Sequence, residues 1–254
     1  MPWCQISFFS EVLKKEVGMN VILPKTGRAP FPAYYLLHGL SDDHTGWMRR
    51  TRIEPYAMEY PLVVVIPDGY RGFYTDNEEG PAYEKYLLEE VIGFVERTFP
   101  VQRRRSRRCI GGLSMGGYGA LRLALANPEL FASANSHSGA THVGTLRYNR
   151  AKEPERTQIF GTNPIGSRHD LWALARKAAG HGRLPKLQID CGTEDSLLKY
   201  NRDFHAHLQK LKIAHEYAEY PGQHNWAYWD EHVRQALAFH ARALGIKSTR
   251  DQDD

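Results

Sequence analysis

Short apolar runs alternate along this chain with longer stretches in which apolar residues recur every three or four positions. Leu62-Val63-Val64-Val65-Ile66 is closed by Pro67-Asp68-Gly69, and Ala33-Tyr34-Tyr35-Leu36-Leu37 runs into His38-Gly39. Neither run alternates with polar residues, which is the pattern of a strand covered on both faces. Further strands are predicted over 108–111, 132–136, 187–191 and 216–220, and 6–10 with 18–23 reads as a strand pair that starts the sheet. The 3.6-residue period predicts helices over 82–99, 115–126, 171–179, 197–212 and 226–244. Pro100 follows the first of these and Asn127-Pro128 the second, where a helix must stop. The alternation predicts an α/β fold, a mostly parallel central sheet flanked by helices, as a single domain over 1–254 with no large cap domain. Residues 139–169 have weak periodicity and many turn formers, so they are expected to be a loop excursion near the site. The stretch 246–254 is expected to be a flexible tail.

Composition narrows the class. Of 254 residues, 42% are hydrophobic and 24% charged, which excludes a disordered or fibrous chain. The formal charge of +4 points to neither nucleic acid nor an anionic membrane surface as a partner. The basic run Arg103, Arg104, Arg105, Arg107 and Arg108 has no aromatic platform among it and is expected to be a solvated loop at the bottom of the sheet. Cys4, Cys109 and Cys191 form no CxxC and no zinc spacing, so a reduced compartment is expected. No run reaches the roughly 18–20 apolar residues that span a bilayer, and the start lacks a basic stretch before an apolar core. A cytoplasmic protein is the expectation.

Gly112-Leu113-Ser114-Met115-Gly116 matches G-x-S-x-G between a predicted strand and a predicted helix. That context lifts a serine hydroxyl over the sheet on a sharp turn, and the glycines let the backbones pass closely. A nucleophilic serine needs a base and the base an orienting acid, in the chain order Ser, Asp or Glu, His. Twelve histidines are too many to choose by type, so position decides. His224 stands in Tyr220-Pro221-Gly222-Gln223-His224-Asn225-Trp226, the turn between the last strand and the last long helix. The acid follows the preceding strand, where Glu194 and Asp195 both qualify chemically. Asp195 could equally cap the next helix, and the two roles can coexist. The oxyanion donors are expected to be the backbone N–H of Met115 and that of Leu40, after His38-Gly39. Phe73, Tyr74, Trp226 and Tyr228 are expected either to narrow the cleft beside Ser114 or to pack between the last helix and the sheet. Gly39, Tyr74 and Trp226 are the candidate substrate contacts.

Five blocks in order give the chain a family resemblance: YLLHGLSDDHTGW from Tyr35, VVVIPDGYRGFYTD from Val63, GGLSMGGYGAL from Gly111, CGTEDSLL from Cys191 and PGQHNWAYW from Pro221. From about Ile6 to Leu244 it resembles the esterase D family of α/β-hydrolases, and within it the bacterial tributyrin esterases. The resemblance implies an α/β-hydrolase fold, a Ser114–Asp195–His224 triad, oxyanion N–H groups from Leu40 and Met115, no metal or organic cofactor, and short-chain acyl esters as substrates. It also implies a homo-oligomer. S-formylglutathione hydrolases share the scaffold but typically carry a cysteine shortly after the oxyanion glycine, where this chain has Ser41-Asp42-Asp43. A thioesterase of that type is the alternative activity. Acetylxylan and feruloyl esterases, and a catalytically silent scaffold, are the more distant ones.

Overall fold

Eight strands form one sheet in the order β1-β2-β4-β3-β5-β6-β7-β8. The computed structural model describes residues 2–180 and 182–249. In chain order the strands are β1 (Trp3–Ser10), β2 (Lys15–Ile22), β3 (Ala33–Leu37), β4 (Val63–Pro67), β5 (Arg108–Leu113), β6 (Ser133–His137), β7 (Lys186–Gly192) and β8 (His215–Tyr220). β1 and β2 pair antiparallel, as do β2 and β4, and every pair from β4 through β3 to β8 is parallel. The opening pair is longer than its apolar runs suggest, because Trp3 to Gln5 pairs with Asn20 to Ile22 at the sheet edge.

The two all-apolar strands are buried on both faces, with period two. Tyr35 and Leu37 of β3 and Val63 and Val65 of β4 enter one core; Tyr34 and Leu36, Val64 and Ile66 enter the other. The first core lies under α3 (Tyr83–Lys85), α4 (Ile92–Thr98), α5 (Met115–Ala126), α7 (Leu171–Ala178) and α8 (Leu198–Lys210). The second lies under α1 (Gly46–Arg50), α2 (Ile53–Ala57) and α9 (Trp226–Leu244).

Several local expectations change. The helix over 82–99 is continuous but carries a π-helical segment, Tyr86–Val91, between α3 and α4. Glu90 in that segment accepts the Val12 N–H at 2.9 Å and the Ser10 hydroxyl, tying the helix to the β1–β2 turn. α1 and α2, five residues each, are too short to show a period. Inside 139–169 the chain forms a 3-10 turn at Val143–Thr145 and α6 at Pro154–Phe160, with proline at the helix start. Phe160 packs against Phe73, Tyr118, Tyr148 and His169, which docks this excursion on α5.

The arginine run is not simply solvated. Arg105 donates to the carbonyls of Pro128 and Leu184, Arg107 to that of Leu244, and Arg103 to that of Glu96. Arg108 is buried and paired with Glu96. These side chains tie together carbonyls of helix ends and loops at this end of the sheet. Of the expected tail, Thr249 donates its N–H to the Glu59 carbonyl at 2.7 Å, and 250–254 lie outside the described residues.

The cysteines are unpaired. Cys109 and Cys191 are buried in central β5 and in β7, whereas Cys4 is half-buried on edge strand β1. Burial pushes the Cys191 thiol up to about 12 and that of Cys109 well above its ordinary value. Among the described residues no helix is long and apolar enough to cross a membrane.

Candidate active site

At the end of β5 the chain turns through Ser114, whose φ of 52° and ψ of −111° lie outside the regions a residue with a β-carbon ordinarily adopts. The turn is held on three sides. Ser114 N–H donates to the His137 carbonyl at 2.9 Å, and the Ser114 carbonyl accepts from Tyr118 at 3.0 Å and Ala140 at 3.1 Å. A β-carbon at Gly112 or at Gly116 would stand 2.5 Å from the Leu37 carbonyl oxygen, so only glycine at both positions lets α5 start this close to β3.

His224 enters from the turn between β8 and α9. Asn225 caps α9 by accepting the Tyr228 N–H at 3.1 Å, which fixes where the helix begins and hence where the preceding histidine points. His224 Nε2 lies 3.0 Å from Ser114 Oγ, and Nδ1 lies 2.8 Å from Asp195 Oδ2. With Nδ1–H donating to the carboxylate, Nε2 is left to accept the Ser114 hydroxyl. Trp229 stands edge-on to the imidazole at 5.0 Å.

The structure separates the two acids that the sequence leaves open. Asp195 is buried and reaches His224, while Glu194 is exposed and accepts from the Thr193 hydroxyl at 3.1 Å. Asp195 also accepts the Leu197 N–H at 2.7 Å, so it both orders the turn into α8 and faces the imidazole. Burial alone would raise its carboxyl. Hydrogen bonds from His224, the Leu197 N–H and the Ser138 hydroxyl outweigh that and hold it below the usual carboxylate range.

Met115 follows Ser114 and Leu40 follows Gly39, and among the described residues neither backbone N–H has a protein acceptor. The Leu40 loop is built on His38. The Gly69 N–H donates to His38 Nε2 at 2.9 Å, so Nδ1 carries the ring proton and donates to the Gly39 carbonyl 2.8 Å away. Asp68 supports this loop. Burial opposes its ionisation, but the neighbouring His44 and the Tyr70 N–H keep it well below the ordinary carboxylate value. Gly39 faces the site: a β-carbon there would stand 3.7 Å from Ser114 Cβ.

Two of the aromatic expectations need correction, and a third in part. Phe73 and Tyr74, both at a φ of 52°, turn their rings into the core. Tyr74 is 1% exposed and donates its hydroxyl to the His38 carbonyl at 3.1 Å, so it props the Leu40 loop from below and offers no surface to a substrate. Tyr228 is buried with its hydroxyl on Asp190 at 2.9 Å, its ring packed under Gly222 in the His224 turn. Trp226 does reach the surface, half-buried and edge-on to Trp47 and Trp229 at 5.3 Å, with Gly46 beneath it.

Ser138 escapes a reading of the sequence. It follows β6 at a φ of 49°, donates its N–H to the Asp190 carbonyl at 2.8 Å, and presents its hydroxyl to Asp195. The only signal for it is Ser138-Gly139 at a strand end, which looks like any turn. Among the described residues no three His, Cys, Asp or Glu side chains converge as a metal ion would require.

Comparison with known proteins gives the family. The family model described as "Putative esterase" matches residues 10–240. An acetyl esterase of Caldicellulosiruptor saccharolyticus is 32% identical over 93% of this chain and 97% of its own length. Among solved structures, the fluorophosphonate-binding serine hydrolase F of Staphylococcus aureus, determined with substrate bound, is 33% identical with a TM-score of 0.85. The match covers 94% of this chain and 98% of that one. An S-formylglutathione hydrolase from Staphylococcus aureus is 32% identical with a TM-score of 0.83 over the same shares.

Proposed function

The chain belongs to the esterase family, serine hydrolases that cleave carboxylic esters, and on that premise we propose a carboxylesterase for short-chain acyl esters with Ser114, His224 and Asp195 as its triad. The observation that carries this reading is the unbroken run of hydrogen bonds from Ser114 Oγ through His224 to buried Asp195, beside two free N–H groups. His224 Nε2 takes the Ser114 proton as Oγ attacks the ester carbonyl, and the Leu40 and Met115 N–H groups receive the oxyanion. The imidazolium, stabilised by Asp195, passes that proton to the departing alcohol and leaves an acyl-Ser114. A water then gives a proton to His224 and its oxygen to the acyl carbon, releasing the acid and restoring the serine.

A fluorophosphonate probe tests the assignment, since it modifies only an activated serine. The native protein should be labelled stoichiometrically and Ser114→Ala not at all; labelling that survives the substitution would move the nucleophile elsewhere. The likeness to an S-formylglutathione hydrolase favours thioesters as a second reading. Comparing kcat/KM for S-formylglutathione with that for p-nitrophenyl acetate separates the two, and with Ser41-Asp42-Asp43 after the oxyanion glycine the oxygen ester should be preferred. The rest of the reading is a single-domain cytoplasmic enzyme, a homo-oligomer, whose partners are small esters and not nucleic acid or membrane. Light scattering on the purified chain checks the assembly.

A further inference from the structure

A cavity of about 620 Å³ opens beside the C-terminal half of α5, away from Ser114. Arg122 stands eight residues beyond Ser114, roughly 12 Å along the helix at about 1.5 Å per residue. Five cations line the space, Arg105, Arg122, Arg168, Lys177 and Arg183, against the carboxylates of Glu84 and Glu129.

Arg122 is the unusual member. Its side chain is 2% exposed, Nε donates to the Arg168 carbonyl at 2.9 Å, and Nη2 pairs with Glu84 at 2.7 Å. Nη1 is buried with no acceptor. A buried N–H of a charged group left without a partner is costly, and an arriving anion oxygen is the group that would satisfy it. Nearby, Arg105 is anchored by the carbonyls of Pro128 and Leu184, which carry no formal charge to balance it. Burial first, and then the neighbouring Arg183, press its guanidinium below its ordinary value, with the Glu129 carboxylate opposing them. Lys177 and Arg183 are exposed at the rim, and among the described residues neither has a carboxylate within salt-bridge distance.

We propose that this cavity binds a small polyanion, a molecule with two or more phosphate or carboxylate groups, one held by Arg122 and Arg105 at the floor and another by Lys177 and Arg183 at the rim. Guanidinium groups suit such oxygens because their planar N–H fork engages two at once. The volume is several times what one phosphate fills, and the cations are spread over floor and rim rather than gathered at one point. Glu84 and Glu129 set the selectivity: they repel a ligand whose charge does not reach the arginines.

The test titrates the full chain with pyrophosphate and, separately, with citrate at fixed ionic strength, by calorimetry and thermal denaturation. Saturable one-to-one binding of either probe, with a rise in Tm, is expected, and the probe that binds tells phosphate from carboxylate. The double variant Lys177→Glu, Arg183→Glu changes only exposed side chains. It should weaken binding at least about tenfold while turnover of p-nitrophenyl acetate stays unchanged. Arg122→Gln should abolish binding, and if it does not fold the rim variant still decides. A Tm response no larger than that to sodium chloride at equal ionic strength, or undiminished affinity in the rim variant, overturns the proposal.

Discussion

Ser114 spends its backbone freedom on one purpose. A positive φ on a residue with a β-carbon costs of order 1–3 kcal/mol, and the three hydrogen bonds to the turn hold it there. Ser114→Ala keeps those backbone bonds, so kcat on p-nitrophenyl acetate should fall at least about 10³-fold with an unchanged circular dichroism spectrum. The acid gives a sharper contrast. Asp195→Asn should cost far more activity than Glu194→Gln, because only the buried carboxylate meets His224; equal losses would separate the hydrogen bond from the role assigned to it. Asp195 also links stability to pH. Its folded carboxyl sits below the unfolded value of about 3.9, so its contribution is present above that value and is lost as pH falls through the folded one. The urea midpoint of Asp195→Asn should therefore lie below that of the native chain at pH 7 and converge with it in acid. The serine and histidine were legible because a glycine-flanked turn and a strand–helix junction leave marks in sequence. Between Glu194 and Asp195 residue type alone leaves both open; the family resemblance favours Asp195, and the physical difference is that only Asp195 is buried. The inward turns of Phe73 and Tyr74 were not legible, because they depend on backbone angles that no side-chain pattern announces.

Elements show the same division. Strands β3 and β4 and helices α5 and α9 are where the apolar pattern puts them, because each is long or pure enough to impose its own period. α1, α2 and α6 span five to seven residues and owe their existence to packing, through Trp47, Ile53 and Phe160. The arginines between α4 and β5 look like a solvated run in one dimension and become donors to distant carbonyls in three. Two predictions belong here. Gly116→Ala would drive a methyl to 2.5 Å from the Leu37 carbonyl oxygen and 2.6 Å from that of His38, forcing α5 off β3. A loss of about 1–3 kcal/mol in urea unfolding is expected, with a larger loss of activity as Met115 N–H shifts. The excursion carrying α6 is packed on α5 through Phe160 and joined to the 68–80 loop by ion pairs Arg71–Glu155, Arg150–Glu79 and Arg168–Glu78. These exposed pairs add little energy, yet with the aromatic packing they hold the excursion against α5, and no covered apolar tunnel beside Ser114 is expected. A long acyl chain then gains little of the roughly 0.8 kcal/mol per buried CH₂, so kcat/KM for p-nitrophenyl esters should peak between C2 and C4 and fall steeply by C8. A maximum at C8 to C12 would mean that the excursion opens onto an apolar channel.

For the molecule as a whole, a sheet sealed by helices on both faces places the reactive turn at the carboxyl ends of its central strands. That location, not any single residue, brings three side chains from β5, β7 and β8 within reach of one another. The same depth gives the chain a set of internal clocks. Cys109 lies in the strand that carries Ser114 and Cys191 in the strand that leads to Asp195, both shut away from reagents, while Cys4 sits on the outermost strand. Iodoacetamide should alkylate Cys4 in the native protein and reach the other two only when the central strands come apart. Peptide mass mapping against time would then report fraying of the sheet margin and breakdown of its centre as separate rates from one unmodified sample. Adding urea should accelerate Cys109 and Cys191 in step, and a Cys191 that reacts early would locate the weak seam of the molecule at its other margin, between β7 and edge strand β8.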